Sequence, residues 1–433
     1  MKKVISLLLV AVICCSCLFG CGKQTPPETE PPVQEQPTEV PTSPVEDPTE
    51  PSVMEPENPV TPTNSDILIS DFYAKFIDAM NASHGKDNYM VSPASLKMAF
   101  VLAAAGANGE TLDKIVNEMG YESLDEYLQW ADGMNKKAAA IAELKNINTF
   151  MPVDIPEYSI GYGIWHNIDA GGKILDSYIE SVTPLGATVD NLRGDDLMPE
   201  INNWISQKTN QMIPQMFNRP LNNSANVLVN TIYLKAFWKN AFSEHGTQER
   251  DFTDIDGNVV QKESMVQTSK NMYYGDENTQ IAILDLGYGF KMAVVLGDNT
   301  DIWNKITQAQ EKKLFIQLPK FEIETTIEDE LNDFLINTDL GIAFTSDADF
   351  SNMTDVDILI DIVLQKTKIE VKEDGLEAAA ATAIIMKNDG MIVEEPEEII
   401  DFIADKPFTF YIYAEDDTLT NPELLFYGQY VRC

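Results

Sequence analysis

The residues with chemistry to offer are few and scattered. Three histidines, His84, His166 and His245, are spread along 433 residues, and none stands in an H-E-x-x-H or comparable zinc spacing. There is no G-x-S-x-G nucleophile elbow, and neither a P-loop nor a G-x-G-x-x-G phosphate cradle. Gly287-Tyr288-Gly289 joins two apolar runs and reads as a hairpin turn. With 69 acidic side chains in the chain, neighbours such as Glu394-Glu395 and Glu397-Glu398 arise by chance and mark no acid–base dyad. Trp204 and Trp238 read as core residues rather than ligand platforms. No catalytic residue, metal site or cofactor is expected, and nothing here supports an enzyme.

One stretch contradicts itself: VKEDGLEAAAATAIIM, residues 371–386. Its lead-in, KIEVKEDG, alternates like a strand and ends in the turn pair Asp374-Gly375. Glu377 to Ala383 then has the composition of a helix, whereas alanine is depleted in ordinary strands.

The surrounding elements frame the problem. Ile69, Phe72, Tyr73, Phe76 and Met80 recur at helical spacing, which predicts an amphipathic helix over 66–82. Ser92-Pro93 is a helix start, with Ser as cap and Pro in the first turn. LKMAFVLAAAGA follows, reads as apolar all round, and predicts a helix buried on every side. Glu110 to Met119 forms a short amphipathic helix stopped by Gly120. Strands are expected in ANVLVNTIYLKAFW (225–238), IAILDLGYGFKMAVVLG (281–297), LFIQLPKFEIETT (314–326) and DILIDIVLQKTKIEV (357–371). The end, PFTFYIYAEDDTLTNPELLFYGQYV, reads as a hairpin around a polar turn. Helices early and strands late, without regular βα alternation, predict one large α+β domain. No Pro/Gly-rich break divides 66–433.

A formal net charge of −39 with a pI near 4.2 excludes a nucleic-acid partner, whose phosphates need Lys and Arg. It fits a secreted protein that stays soluble and attracts basic partners. Lys2, Lys3 and the apolar run ISLLLVAVICC form an export signal over 1–20, too short for a membrane span. Leu18-Phe19-Gly20-Cys21 resembles the lipobox of bacterial lipoproteins, although Phe19 is bulkier than usual there. That resemblance implies cleavage before Cys21 and a lipid on its thiol. The protein is then anchored to the outer face of a bacterial membrane, or shed from it; simple cleaved secretion is the alternative. Only Cys21 and Cys433 remain after cleavage, so an acylated Cys21 leaves no internal disulfide. Residues 24–63 hold 12 of the 23 prolines, eight Glu, one Asp and no Lys or Arg. Such a segment buries no core, and 21–64 reads as an extended stalk reaching on the order of 120 Å. The folded domain is expected over 65–433.

Six segments in order resemble the serpin family of serine-protease inhibitors. NYMVSPASLKMAFVLAAAGANGETLDKI is similar to its buried central helix, and INNWISQKTNQMI to the helix crossing its main sheet. VLVNTIYLKAFWKNAF is similar to a central strand of that sheet. LPKFEIETT, KTKIEVKEDGLEAAAATA, and PFTFYIY with LLFYGQYV complete the set. The resemblance implies an α+β serpin fold, with mixed and antiparallel sheets, eight or nine helices and an exposed reactive-centre loop at about 375–398. It also implies a monomeric suicide inhibitor of a serine endopeptidase, or a cysteine one. The protease cuts the loop and is held as an acyl-enzyme while the loop's N-terminal part inserts into the main sheet. Stored strain drives such a switch.

An inserting strand must alternate and fit a core already packed. From Leu376, one face carries Leu376, Ala378, Ala380, Thr382, Ile384 and Met386, all uncharged. The other carries Glu377, Ala379, Ala381, Ala383, Ile385 and Lys387. A charge on the first face would be buried unpaired at several kcal/mol; none is there. Gly375 offers hinge freedom, and about fifteen inserted residues at roughly 3.3 Å each span some 50 Å.

The resemblance carries further positions over. Glu373 matches the family's acidic residue before the hinge, Lys320 its basic partner, and Trp238 the aromatic residue near the sheet's opening. Ser92, Ser95 and Asn230 match the polar cluster where the sheet parts. Plainer readings stand beside these: a helix cap for Ser92, and for Lys320 with Glu373 a surface pair worth under about 1 kcal/mol. Two positions depart from the family pattern. Gln365 replaces the usual His of the polar cluster, and Leu376 replaces a small hydroxylated residue. Fourteen residues on from Gly375, the family's usual count, puts the scissile bond at Asp389-Gly390, while counting back from Pro407 gives a bond near Pro396. A shift of one or two residues presents Lys387 or Met391 instead. The rival functions are a serpin-fold protein cleaved without trapping, and a surface lipoprotein that captures a ligand.

Overall fold

The computed structural model describes residues 70–147, 155–361, 363–376 and 398–433. The leader, Cys21, the stalk, and Glu377, Ala378, Ala379, Ala380, Ala381, Thr382, Lys387, Asp389, Gly390 and Met391 lie outside the described residues.

The first helix, α1 (Asp71–His84), buries Phe72, Tyr73, Phe76, Ile77 and Met80, and the Ser70 hydroxyl caps it by accepting from Tyr73 N. It carries Phe72, Tyr73, Phe76 and Met80 of the predicted stripe and ends two residues beyond the predicted 82; residues 66–69, with Ile69, lie outside the described residues. A short strand β1 (Tyr89–Val91) leads into α2 (Pro93–Gly106), where Ser92 accepts from Ser95 N and Pro93 opens the first turn. This helix is buried almost throughout, but it is not apolar all round. Lys97 sits inside it, only 7% exposed. Its ammonium lies over the rings of Trp130, Tyr121 and Tyr73 at 4.3, 4.7 and 5.3 Å. Burial pushes the amine's pKa down, and nearby Glu423 opposes that shift.

Helices α3 (Gly109–Glu118) and α4 (Leu124–Ile147) follow. Then come strand β2 (Glu157–Asn167), helix α5 (Asp176–Val182), strand β3 (Thr188–Leu192), helix α6 (Gly194–Lys208) and strand β4 (Asn226–Phe237). The strand-rich second half begins with β5 (Gln248–Thr253), β6 (Val259–Gly275), β7 (Thr279–Asp285) and β8 (Phe290–Gly297). Helix α7 (Ile302–Thr307), strands β9 (Gln310–Pro319) and β10 (Phe321–Ile327), and helix α8 (Asp329–Ile336) precede β11 (Gln365–Val371) and β12 (Gly375–Leu376). The chain closes with β13 (Ile399–Ile403), β14 (Phe408–Ala414) and β15 (Glu423–Tyr430), the last two forming the expected hairpin.

Among the described residues the strands form two sheets, one of nine and one of six. The six-stranded sheet runs β10-β11-β12-β4-β2-β3. Its centre is covered on both faces, which is why β4 reads as a continuous apolar run. On one side Leu197, Ile201 and Ile205 of α6 bury Trp165, Val227 and Val229. On the other, Tyr162, Ile164, Leu228 and Ile232 join the main core with α2.

The expected strand over 357–371 is shorter than its pattern. Among its described residues only Gln365–Val371 pairs as strand. The preceding residues spend their hydrogen bonds elsewhere: Ile360 N donates to Ala343 O, Val363 N to the Asn332 side chain, and Asp361 accepts from Ala225 N. An alternating pattern cannot form a ladder without an edge beside it.

Candidate functional site

Strands β11 and β4 run parallel, each antiparallel to the two-residue β12 between them. Leu376 pairs with Val371 on one side and Ala236 on the other, while Gly375 pairs with Phe237. Leu376 is 2% exposed. The chain after the hinge therefore begins as a central strand.

The turn that delivers it is Lys372 to Gly375, closed by Lys372 N to Gly375 O at 2.9 Å. The end of β4 holds three successive carbonyls of this turn. Trp238 Nε1 donates to Lys372 O at 2.8 Å, Phe242 N to Glu373 O at 2.8 Å, and Trp238 N to Asp374 O at 2.9 Å. A Cβ on Gly375 would lie 2.0 Å from Ala236 O. Glycine is needed here because two backbones meet closely, a stricter reason than hinge freedom.

Glu373 anchors the turn by its side chain. Its Oε1 accepts from the Thr247 hydroxyl at 2.8 Å and lies 3.2 Å from Lys320 Nζ. The side chains of Lys320 and Glu373 are 27% and 14% exposed, so this is a half-buried pair rather than a surface one. Burial pushes the Glu373 carboxyl up, but the Thr247 hydroxyl, a backbone N–H and the Lys320 ammonium outweigh it and hold the carboxyl below its ordinary value.

Below β12 the flanks of the sheet are separated by two clefts along one line. The upper cleft lies between Ile232, Tyr233 and Leu234 of β4 and Lys368 and Ile369 of β11, and Leu376 closes its top. The lower lies between Asn226 and Leu228 of β4 and the segment Ile358–Ile360. Between them stands a polar clamp on the N-terminus of α2. Gln365 accepts from Ser92 N and donates to Ser92 O, both at 2.8 Å. The Ser92 hydroxyl donates to Leu425 O, and Ser95 Oγ donates to Asn230 Oδ1. One helix end thus holds both flanks, Asn230 on β4 and Gln365 on β11. The Nδ2 of Asn230 and that of Asn226 are buried without a hydrogen-bond partner.

Below β12 the sheet is thus open between two parallel strands. The family model described as Serpin (serine protease inhibitor) matches residues 68–433. The chain belongs to the serpin family. Iripin-1 of Ixodes ricinus is 27% identical, with 79% of this serpin and 88% of that protein covered. A serine protease inhibitor of Cyanea capillata is 26% identical, covering 83% and 96%. Human thyroxine-binding globulin, solved with its thyroxine bound, superposes with a TM-score of 0.69 at 21% identity over 85% of this serpin and 98% of that chain. That likeness shows the fold alone.

The structure brings Glu373, Gly375, Leu376, Trp238 and Lys320 together at the top of the opening, and Ser92, Ser95, Asn230 and Gln365 at its middle. It does not gather the histidines: His84 is near Glu330, His166 is buried beside Asn226, and His245 is exposed. Trp238 is buried, and half-buried Trp204 meets Trp165 edge to face at 5.1 Å. Cys433 is exposed and free. Sequence reasoning missed Thr247, Phe242 and Asn226. Thr247 and Phe242 reach the hinge across 126 and 131 positions of chain, and no local pattern marks either; Asn226 carried a signal, a polar residue at the mouth of an apolar strand.

Proposed function

We infer that this serpin is a protease inhibitor acting as a suicide substrate, and not an enzyme. The observation that carries this reading is the pairing of Gly375 and Leu376 between β4 and β11 above two open clefts. The target is a serine endopeptidase, or a cysteine one. Its nucleophile attacks the carbonyl carbon of the scissile residue, at Asp389-Gly390 by the count from the hinge. The peptide C–N bond breaks, the new amino terminus leaves with Gly390, and the protease stays esterified to Asp389. The freed strand then continues downward from Leu376 and carries the acyl-enzyme across the sheet. The uncharged face from Leu376 to Met386 supports this step, since each inward residue enters without a buried unpaired charge.

Incubation with trypsin-like, elastase-like, chymotrypsin-like and caspase-like proteases tests the reading. An SDS-stable conjugate and a sharp rise in thermal midpoint after loop cleavage are expected. Clean cleavage with full residual protease activity refutes trapping and leaves the two rivals, a serpin-fold protein cleaved without trapping and a surface lipoprotein that captures a ligand. Mass spectrometry of the released peptide locates the bond, and cleavage outside 386–393 overturns the count.

A further inference from the structure

The lower cleft has a chemical character of its own. Ala103 of α2, Ile164 of β2 and Leu228 of β4 form its floor and wall, with Phe350 and Met353 behind. Its free space is about 300 Å³, part of it open to solvent past half-buried Ile358 and Leu359. The enclosed part is small, of the order of one water molecule. One polar side chain borders this apolar space. Asn226 is 6% exposed, and one end of its amide faces His166 Nδ1 at 3.0 Å while the other has no partner.

The His166 ring defines what the free end offers. Its Nε2 lies 3.0 Å from Gly171 O and donates there. Asn226 Oδ1 lies 3.0 Å from Nδ1, so Nδ2 is the end left to the cleft; an amide turned end for end, with its N–H on Nδ1, would leave the carbonyl oxygen there instead. A hydroxyl both donates and accepts, so it satisfies either orientation. No charged side chain lines the cleft to pair with an ion, and Asp357 and Asp361 stand on the segment at its mouth, which disfavours anions.

We propose that the lower cleft binds a small neutral alcohol or phenol, its hydroxyl on Asn226 and its apolar body at the mouth against Ile358 and Leu359. This is measured on uncleaved protein with no protease present, so it stands or falls apart from trapping.

Full-length protein carrying 13C-methyl methionine is titrated with phenol, benzene and benzoate. Phenol is expected to shift the Met353 methyl resonance saturably and to bind about fivefold tighter than benzene, the advantage of one hydrogen bond. Benzoate leaves the resonance unmoved. In Asn226→Val the preference for phenol over benzene vanishes, and in Ile358→Trp, which fills the mouth, both cease to bind. No saturable shift at Met353, equal binding of phenol and benzene, or a preference surviving in Asn226→Val overturns the proposal. If Asn226→Val does not fold, undiminished binding by Ile358→Trp overturns it equally.

Discussion

Ser92 and Gln365 exchange two hydrogen bonds of 2.8 Å, with the glutamine amide closing on the backbone N–H and C=O of the helix cap. An amide makes both bonds at once and does not titrate. Gln365→Leu leaves the Ser92 N–H buried and unpaired and the Ser92 C=O with only its bond from Leu96 N, and a loss of about 2 kcal/mol is expected in urea unfolding of the uncleaved protein. Gln365→His should lose less and add a pH dependence near the imidazole range at this clamp, where the glutamine has no titrating group. Equal stability of the leucine variant and the natural chain would show that the clamp is not closed in solution.

Glu373 makes the hinge sensitive to acid. Its carboxyl is held below an ordinary value of 4.5. The stability it contributes is therefore complete above that value and lost as pH falls through the lower, folded-state value. Thermal midpoints of the natural chain should drop more steeply below about pH 4.5 than those of Glu373→Gln. Parallel profiles would mean that the contacts with Thr247 and Lys320 do not persist.

Gly375→Ala tests the close approach of hinge and β4. A Cβ 2.0 Å from Ala236 O must push the backbones apart. Calorimetry should show a destabilisation of about 2 kcal/mol, typical of overpacking, together with less protease conjugate per loop cleaved. An unaltered midpoint would place the hinge outside the sheet.

The register of Leu376 against Ala236, continued in a cleaved chain, sets Ala378, Ala380 and Thr382 opposite Leu234, Ile232 and Asn230. Thr382 then offers its hydroxyl to the orphaned Asn230 amide. Thr382→Val is expected to cost the cleaved form about 1 kcal/mol and the uncleaved form nothing. If the chain traps proteases as proposed, Ala380→Arg, which buries a charge on the same face, should leave it cleaved without forming a conjugate. A cleaved Thr382→Val protein as stable as the cleaved parent would refute this register.

Away from the opening, Lys137 of α4 is buried against Asp416 in the β14–β15 turn and donates also to Tyr288 O. Asp416→Asn strands the cation and should cost about 3 kcal/mol, whereas Lys137→Met should cost far less. Equal losses in denaturant titration would show that the pair is not desolvated.

The one-dimensional patterns that proved legible are those set by neighbours in sequence. Ser92-Pro93 starts a helix because cap and first-turn geometry are local, and the stripe from Phe72 to Met80 is a helix face because its period is 3.6. The alternation from Gln365 to Val371 was readable for the same reason. Lys97 was not: a lysine in an apolar helix becomes buried only because Tyr73, Tyr121 and Trp130 converge on it from other elements.

By itself the sequence determined the α+β class and the buried central helix. Only the tertiary structure decided that the described residues of 357–364 do not pair as a strand. It also showed Gly375 pressed against β4, Thr247 as a partner of Glu373, and the Nδ2 atoms of Asn226 and Asn230 left unpaired along the opening. The physical reason is common to these cases. Pairing, close approach and hydrogen-bond satisfaction depend on which strand lies alongside, and that neighbour comes from more than a hundred residues away.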